Sequence, residues 1–259
     1  PRRTDVTMLA RRIRANEETL LIAHLLRRAG FGATPKQMDR YQRMAYADIV
    51  ETLLDPSPSL TTMPTDIIYR LFPEYHASTG VDACANWGFR MITTENPLEE
   101  KTALFWHGIF ATGNDKLNNP LAILSQIDTF RTWGTGKFDD LLLEVSKNPA
   151  MLIWLDNQTN HVASINENYG REILELFSMG VGNYTEDDLK ECARAFTGWR
   201  VVNPDYMSIK MRNNTDRPYG YISWQFEYDD DDHDHGQKTL LGDTGDLNGE
   251  DAVADRKRT

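Results

Sequence analysis

The chain has 259 residues, enough to bury a substantial core in one large domain or two small ones. Its formal net charge of -11 argues against a nucleic-acid surface, because phosphate binding requires clustered Lys and Arg. The longest uninterrupted apolar run, residues 150–155, is far shorter than the roughly 20 residues that a membrane-spanning helix needs. Two cysteines, Cys84 and Cys192, are too few for a disulfide framework.

Residues 17–199 are predicted to form a helical domain. Residues 1–16 contain five arginines and form a predicted basic arm before it. A polar capping residue followed by proline marks four helix starts, because the cap oxygen accepts a free backbone N–H and proline has none to lose. These pairs are Thr34-Pro35, Asn96-Pro97, Asn119-Pro120 and Asn148-Pro149. A fifth start is Thr185, which precedes three acidic residues.

Apolar periodicity completes the helix prediction. Helices are predicted at 17–29, 35–43, 46–54, 80–94, 97–111, 120–132, 138–147, 149–155, 166–179 and 186–197. The composition of residues 55–64 predicts a linker inside this region.

The character of the sequence changes near residue 200. Residues 219–228, YGYISWQFEY, are β-branched and aromatic, and 238–242 could return beside them as the second strand of a hairpin. We therefore predict a small β element over 200–242, packed on the helices. Residues 243–259 are polar and predict a disordered tail. The predicted fold class is mainly α: an irregular multi-helix bundle with a small C-terminal β-hairpin.

Residues 166–180, NENYGREILELFSMG, form an amphipathic pattern whose polar arc contains Glu167, Arg171, Glu172 and Glu175. One interpretation is a solvated face with a Glu–Arg–Glu ladder, whose pairs are each worth a few tenths of a kcal/mol. The other is a buried, fully paired site. We expect Glu167 and Arg171 to be at least half buried and paired. Asn166 falls in the apolar arc, which a capping role would explain.

The stretch 166–199 resembles the signature of a bacterial family catalogued as domain of unknown function 1800. Four further segments resemble its motifs in the expected order: HLLRRAGFGATP (24–35), LFWHGIFATG (104–113), NPAMLIWLDN (148–157) and HDHGQKTLLG (233–242). The resemblance implies a largely helical, exported protein, and it implies that this chain is the N-terminal portion of a longer family member. Family members often have a second histidine where Ile109 stands. The resemblance implies no established activity.

The candidate chemistry comes from separated motifs. Imidazole with carboxylates suits Zn, Fe or Mn, and bundled helices can project such groups inward. The metal-ligand candidates are His107, His233, Asp234 and His235, and the catalytic candidates are Glu167, Arg171, Glu172, Glu175 and Lys238. No Glu-x-x-His or HExxH pattern accompanies them. The acidic run 228–236, YDDDDHDHG, is open to two interpretations, a solvated loop or a divalent-cation site.

The sequence is therefore compatible with two functions. The first is a binding or structural role in an exported protein, with a protein partner or the missing C-terminal part of the chain as partner. The second is a metal-dependent enzyme with a divalent cofactor. Nucleic acid is not an expected partner, and the sequence predicts no transmembrane segment.

Overall fold

The computed structural model describes residues 3–55, 70–72, 79–203 and 224–254, with side chains described from residue 16 onward. These residues confirm a mainly α fold with two small antiparallel sheets near the C-terminus. The helices of the described segments are α1 Arg3–Arg28, α2 Pro35–Tyr41, α3 Tyr46–Leu54, α4 Gly80–Thr93, α5 Pro97–Ile109, α6 Asn114–Leu117, α7 Pro120–Trp133, α8 Phe138–Lys147, α9 Pro149–Trp154, α10 Asn168–Glu175, α11 Glu186–Ala195 and α12 Gly249–Ala254. Residues 56–64 of the predicted linker lie outside the described residues.

Local capping explains four of the five predicted helix starts. Thr34 and Thr185 form capping boxes, and Asn119 and Asn148 accept backbone N–H bonds from Ala122 and Ala150. Asn96 is the exception among the five predicted caps, because its side chain donates to the Glu99 carboxylate at 3.4 Å and makes no capping bond to the backbone.

The N-terminal helix is longer than predicted. Its backbone is already helical at Arg3, so the helix expected from residue 17 includes most of the predicted basic arm. Two short helices, α6 and α12, were also not predicted.

The predicted strand pairing was wrong. Strand β2, Gln225–Tyr228, pairs antiparallel with β1, Trp199–Val202, and Trp199 lies opposite Tyr228. The second predicted strand instead forms its own tight hairpin, in which β3, Lys238–Leu240, pairs with β4, Asp243–Gly245. Hairpins with short turns form locally, so 238–240 pairs with its immediate neighbour. Residues 219–223 lie outside the described residues.

The predicted disordered tail was also wrong for 243–254. Its residues form β4 and α12, and Ala252 and Val253 are buried in the main core. Two apolar residues in one short turn of helix are enough to bind it to the core, although the segment is polar by composition. Residues 255–259 lie outside the described residues.

Three hydrophobic clusters organise the described part of the fold, and the smallest joins α6, α7 and α9 through Leu117, Ala122 and Ala150. The largest one runs from α4 to α12 and includes Phe110, Phe130, Tyr169, Phe196 and Trp199. A smaller cluster joins α1, α2 and α3 through Ile22, Leu26, Tyr41, Ile49 and Leu53. Among the described helices, none is both long and apolar enough to cross a lipid bilayer.

Candidate functional site

Two asparagines that precede the signature, Asn157 and Asn160, form a hydrogen-bonded frame with its second helix. Asn157 Nδ2 donates to the carbonyls of Phe196 (3.2 Å) and Trp199 (3.1 Å), and Asn160 Nδ2 donates to the carbonyl of Ala193 (2.9 Å). Both asparagines are buried. Because buried amides are costly unless they are paired, these bonds fix the loop before α10 against the end of α11.

Two further features place α10 beside α11. Glu167, not Asn166, is the N-cap residue of α10, but the Asn166 side chain caps the helix from the preceding position, since its Oδ1 accepts the backbone N–H of Asn168 at 3.0 Å. Gly170 lies directly against α11, where an added Cβ would be 3.0 Å from the backbone nitrogen of Ala193. A glycine is required here because the two backbones approach so closely. The signature residues therefore serve first to pack α10 against α11.

The end of α11 holds the loop that carries the histidines. The Thr197 hydroxyl accepts the backbone N–H of Asp234 at 2.8 Å, and the Gly198 carbonyl accepts that of Asp229 at 2.8 Å. Gly198 has φ +77°, and a Cβ at this position would be 2.5 Å from the Asp229 carbonyl oxygen. Sequence motifs about 35 residues apart, FTGW and HDHG, thus form one unit.

Arg194 is the charged centre of this unit. Its guanidinium donates to both carboxylate oxygens of Asp234, at 2.7 and 3.0 Å, and to both of Glu191, at 3.0 and 2.8 Å. The hydrogen bonds from Arg194 lower the pKa of Asp234 to about 2, against the opposing effect of its burial. Asp234 was predicted as a metal ligand, but its carboxylate is occupied by this pair.

Acidic residues of α11 also hold the β3–β4 hairpin. Glu191 Oε2 accepts the backbone N–H of Thr239 at 3.2 Å, and Asp188 Oδ1 accepts that of Leu241 at 2.8 Å. Leu241 has φ +52°, so its N–H is fixed in a strained turn. The hairpin is therefore attached to α11 through its backbone, which determines where the residues that follow β4 lie.

Lys238 is completely buried, with 0% of its side chain exposed. Its ammonium donates to the carbonyls of Asp234 and Gly236 and lies 3.3 Å from Asp246 Oδ1. Three oxygen acceptors match the three N–H donors of an ammonium group, so the charge is satisfied. This catalytic candidate is therefore placed as a support for the histidine loop and for Asp246.

The predicted ligands His233 and His235 lie together with Asp246, a residue that was not predicted. One potential ligand atom from each of the three lies within 4.8 Å of the others, the one such group of three found among the described residues. His233 Nε2 is 4.0 Å from Asp246 Oδ1, and His235 Nδ1 is 3.4 Å from Asp246 Oδ2. His233 is buried, whereas the side chains of His235 and Asp246 are 54% and 53% exposed. We call these three residues the histidine cluster.

A neighbouring carbonyl determines the tautomer of the neutral His233 ring. Its Nδ1 lies 2.9 Å from the Thr197 carbonyl, which can only accept a hydrogen bond. Nδ1 therefore carries the proton, and the lone pair of the neutral ring is at Nε2, the atom that faces Asp246. A carbonyl behind Nδ1 is the usual support for a histidine that binds metal through Nε2.

Neighbouring groups shift the pKa values of the other two members of the cluster, His235 and Asp246. The Asp230 carbonyl and the Asp246 carboxylate raise the pKa of His235, because both accept hydrogen bonds from its ring. Burial acts to raise the pKa of Asp246, but hydrogen bonds from Lys238 and His235 outweigh it and the pKa is lowered. Asp246 is therefore a carboxylate at neutral pH.

His107 lies in a different environment. Its ring makes an edge contact with Trp87 at 5.2 Å and packs near Phe130 at 6.4 Å between ring centroids. Burial lowers its pKa, and its Nδ1 is buried without a hydrogen-bond partner. None of these neighbours is a potential metal ligand, so the structure does not bring His107 into the histidine cluster.

The signature carboxylates do not form a closed ladder. Arg171 lies 3.7 Å from Glu167 and 3.7 Å from Glu186, and the side chains of Arg171 and Glu167 are each 40% exposed. The prediction that Glu167 and Arg171 are at least half buried and paired is confirmed, although both contacts are long. Glu175 instead accepts a hydrogen bond from Tyr184 at 3.1 Å. Burial, together with the neighbouring charge of Glu175, raises the pKa of Glu172.

Sequence reasoning missed Asp246, Arg194 and Thr197 as parts of the site. Arg194 and Thr197 lie inside the family signature, so their motif was visible but their partners were not. Asp246 lies in a polar stretch with turn chemistry, which carries no ligand spacing. It enters the cluster because β3 and β4 turn the chain back toward His233.

The fold and site together define a helical domain in which a signature helix pair holds a histidine-containing acidic loop. Residues 24–256 match the family described as "Protein of unknown function (DUF1800)", so the match covers most of the chain. The chain therefore belongs to this family. No curated protein and no solved structure matches it.

Proposed function

We propose that this protein binds one divalent transition-metal ion at the histidine cluster, with His233, His235 and Asp246 as ligands. The observation that supports it most is the pairing of a buried histidine of fixed tautomer with two exposed ligand residues. A structural frame that buries one ligand and leaves two half exposed at the surface is suited to ion capture.

The spacing of the ligand atoms fits after a small movement. In a tetrahedral zinc site with bonds of about 2.1 Å, the ligand atoms lie about 3.4 Å apart. The three ligand atoms lie within 4.8 Å of one another, so the exposed His235 ring and Asp246 carboxylate need to close by up to about 1.4 Å. Because His235 and Asp246 are half exposed, side-chain rotation can supply this movement without a change of the core.

The ligand chemistry selects the metal. Two imidazole nitrogens and one carboxylate favour zinc and its transition-metal neighbours, whereas calcium and magnesium prefer oxygen ligands. Lys238 lies 3.3 Å from Asp246 and repels a cation, so the site does not gain from charge alone. Binding therefore depends on the nitrogen ligands.

Two roles follow from such an ion. A metal joining residues 233–235 to 246 would tie the histidine loop to the β3–β4 hairpin, which is a structural role. Three protein ligands also leave one position open for water or substrate, the arrangement of catalytic zinc sites. We favour the structural or binding role, because the cluster closes a loop that the signature helices already hold.

Calorimetric titration of tag-free protein with ZnCl₂ at pH 8 tests the proposal, because metal binding needs the neutral His235 ring and the pKa of that ring is raised by its neighbours. We expect one ion per chain, and at least about a tenfold loss of affinity in His235→Ala, since one of three ligands is removed. His24→Ala is the matched control, since His24 is also an exposed histidine and lies on α1. Equal affinities in the two variants, or less than about 0.2 metal per chain, would refute the site.

A calcium titration separates this site from general attraction to the acidic loop. The run 229–232 consists of four aspartates, which attract any divalent cation. We expect calcium to produce no thermal shift at the concentration where zinc does. An equal shift with both ions would assign binding to the aspartates instead.

We also propose that the protein is exported and acts as part of a longer bacterial chain, as its family resemblance suggests. Fractionation of cells that express the full-length gene tests this location. Recovery in the cytoplasm alone would contradict it.

A further inference from the structure

The solvent-facing side of α5 is apolar. Leu104, Phe105 and Ile109 are large exposed hydrophobic residues, and Gly108, also exposed, lies on the same side of the helix. We call these four residues the α5 face. None of them belongs to the histidine cluster. Single exposed hydrophobic residues are common on proteins, but a continuous apolar helix face indicates an interaction surface.

Aromatic rings extend the α5 face on both sides. Phe105 contacts Trp106 at 5.0 Å between ring centroids, and Trp106 contacts Phe138 of α8 at 5.8 Å. One turn before Phe105, the ammonium group of Lys101 lies 5.2 Å from the ring centroid of Phe31. Both Phe31 and Phe138 are exposed, so the apolar surface continues beyond α5 itself.

This surface has the apolar area of one standard protein interface. Its five large apolar side chains, those of the α5 face together with Phe31 and Phe138, are between 38% and 59% exposed. Because an aromatic side chain covers about 150–250 Å², they leave on the order of 400 Å² in water. A standard interface covers about 800 Å² of each partner, of which somewhat more than half, roughly 450 Å², is apolar. The two areas agree, so the surface can supply the apolar part of a dimer contact.

The α5 face combines a projecting ring with a recess. Phe105 is 59% exposed, and three residues later a Cβ added at Gly108 would have no atom within 4 Å. A large side chain beside a position without a side chain forms a knob next to a hole. Helices interlock through such knobs and holes when they pack against each other.

We propose that the α5 face joins two copies of this chain as an antiparallel pair of α5 helices. A two-fold axis beside residues 106 and 107 places Phe105 of each copy over Gly108 of the other, and Leu104 against Ile109. In a parallel pair Phe105 would meet Phe105 and the recess at Gly108 would stay empty, which loses packing contacts. The shape of the face therefore matches itself in the antiparallel orientation.

Charge is compatible with this contact although the whole chain has a net charge of -11. The four residues of the α5 face are uncharged, so two copies meet where like charges do not face each other. At its border, Lys101 of each copy lies toward the C-terminal end of the other α5. The unpaired carbonyls at a helix C-terminus carry partial negative charge, which attracts an ammonium group.

Sedimentation velocity of the 259-residue chain in EDTA tests the proposal, because EDTA excludes association through a bridging metal. We expect a reversible monomer–dimer equilibrium between about 1 and 300 µM, the range of weak to moderate interfaces. Phe105→Ser should raise the dissociation constant at least about tenfold, since it removes the central aromatic contact. A chain that stays monomeric throughout this range would overturn the proposal and leave the face to a different partner.

Leu20→Ser is the matched control, since Leu20 is also an exposed hydrophobic residue, at 66%, and lies on α1. It should leave the dissociation constant unchanged. Ile109→Ser is a second variant on the α5 face and should weaken association about threefold, which keeps the test decisive if Phe105→Ser fails to fold. Wild-type association in both variants of the α5 face, or a dimer that only Leu20→Ser disrupts, would overturn the proposal.

A reciprocal exchange tests the antiparallel register. Gly108→Phe fills the recess that the other copy's Phe105 has to enter, so it should weaken association at least about tenfold. The position is open, so the helix should tolerate the ring. Combining Phe105→Ala with Gly108→Phe restores one ring and one recess per copy, and should recover the wild-type dissociation constant to within about threefold. A double variant that folds, as judged by circular dichroism, but does not recover would overturn this pairing.

Discussion

Replacing Arg194 by methionine tests whether the signature helix and the histidine loop are one energetic unit. Methionine keeps the apolar stem but removes the guanidinium that binds Asp234 and Glu191. The two carboxylates keep only 18% and 22% of their side-chain surface exposed. They would therefore be left close together, partly desolvated and without a counter-charge.

The magnitude follows from this burial. Removing one partner of a fully buried ion pair costs about 3–5 kcal/mol, and partial exposure reduces the value here to about 2–3 kcal/mol. For a domain of this size the midpoint of thermal unfolding should fall by about 5–10 °C. Urea denaturation measures the loss directly. Arg171→Met is the control, because its contacts are 3.7 Å long and its side chain is 40% exposed, so it should cost less than about 1 kcal/mol.

The pH dependence provides a second measurement on the same pair. In the folded protein the pKa of Asp234 is about 2, below its ordinary value of 3.8. Its contribution, about 2 kcal/mol, is complete above pH 4 and is lost as the pH falls from about 4 to about 2. The stability difference between wild type and Arg194→Met should therefore shrink across that window. A difference that stays constant with pH, or equal costs for Arg194→Met and Arg171→Met, would refute the reasoning.

Two further substitutions probe the fold around the site. Gly198→Ala should lower the free energy of unfolding by at least about 2 kcal/mol, because a residue with a side chain is strained at this positive φ and its Cβ would be 2.5 Å from the Asp229 carbonyl oxygen. Gly182→Ala is the control, since Gly182 has φ +87° but no atom within 4 Å of an added Cβ. It should cost about 1 kcal/mol in the same urea assay. Glu100→Gln should lower the free energy of unfolding by about 2–4 kcal/mol, because Glu100 is fully buried and accepts hydrogen bonds from Arg131 and Trp87. A loss of stability below about 0.5 kcal/mol in thermal unfolding would show that Asp128 alone satisfies Arg131.

The helices were largely predictable because their signals are local. The starts of α2, α7, α9 and α11 follow from a capping side chain within three residues of the N–H it accepts. Strand pairing was not predictable in the same way. Strand β2 pairs with β1, more than 20 residues earlier, and the 3-residue strands of the second hairpin carry too little periodicity to show their partner.

The candidate site was likewise predictable only in part. His233 and His235 were found because imidazoles beside acidic residues are uncommon and chemically marked. Asp234 appeared equally suitable as a ligand until the structure paired it with Arg194, 40 residues earlier. Likewise, the sequence drew attention to Arg171 and the carboxylates on α10, but their contacts are long. Arg194 on α11 instead makes the close ion pair with the histidine loop.

The sequence by itself determined the mainly α class, most helix boundaries and the family, because these depend on neighbouring residues and on motif order. The tertiary structure alone decided which polar residues meet. The β3–β4 hairpin brings Asp246 to the histidines, and Lys238 is buried beneath it. The residues that make these contacts look no different in the sequence from polar residues elsewhere in the chain. Which of them become ligands, supports or solvated surface depends on burial and on the partner each one meets in the fold.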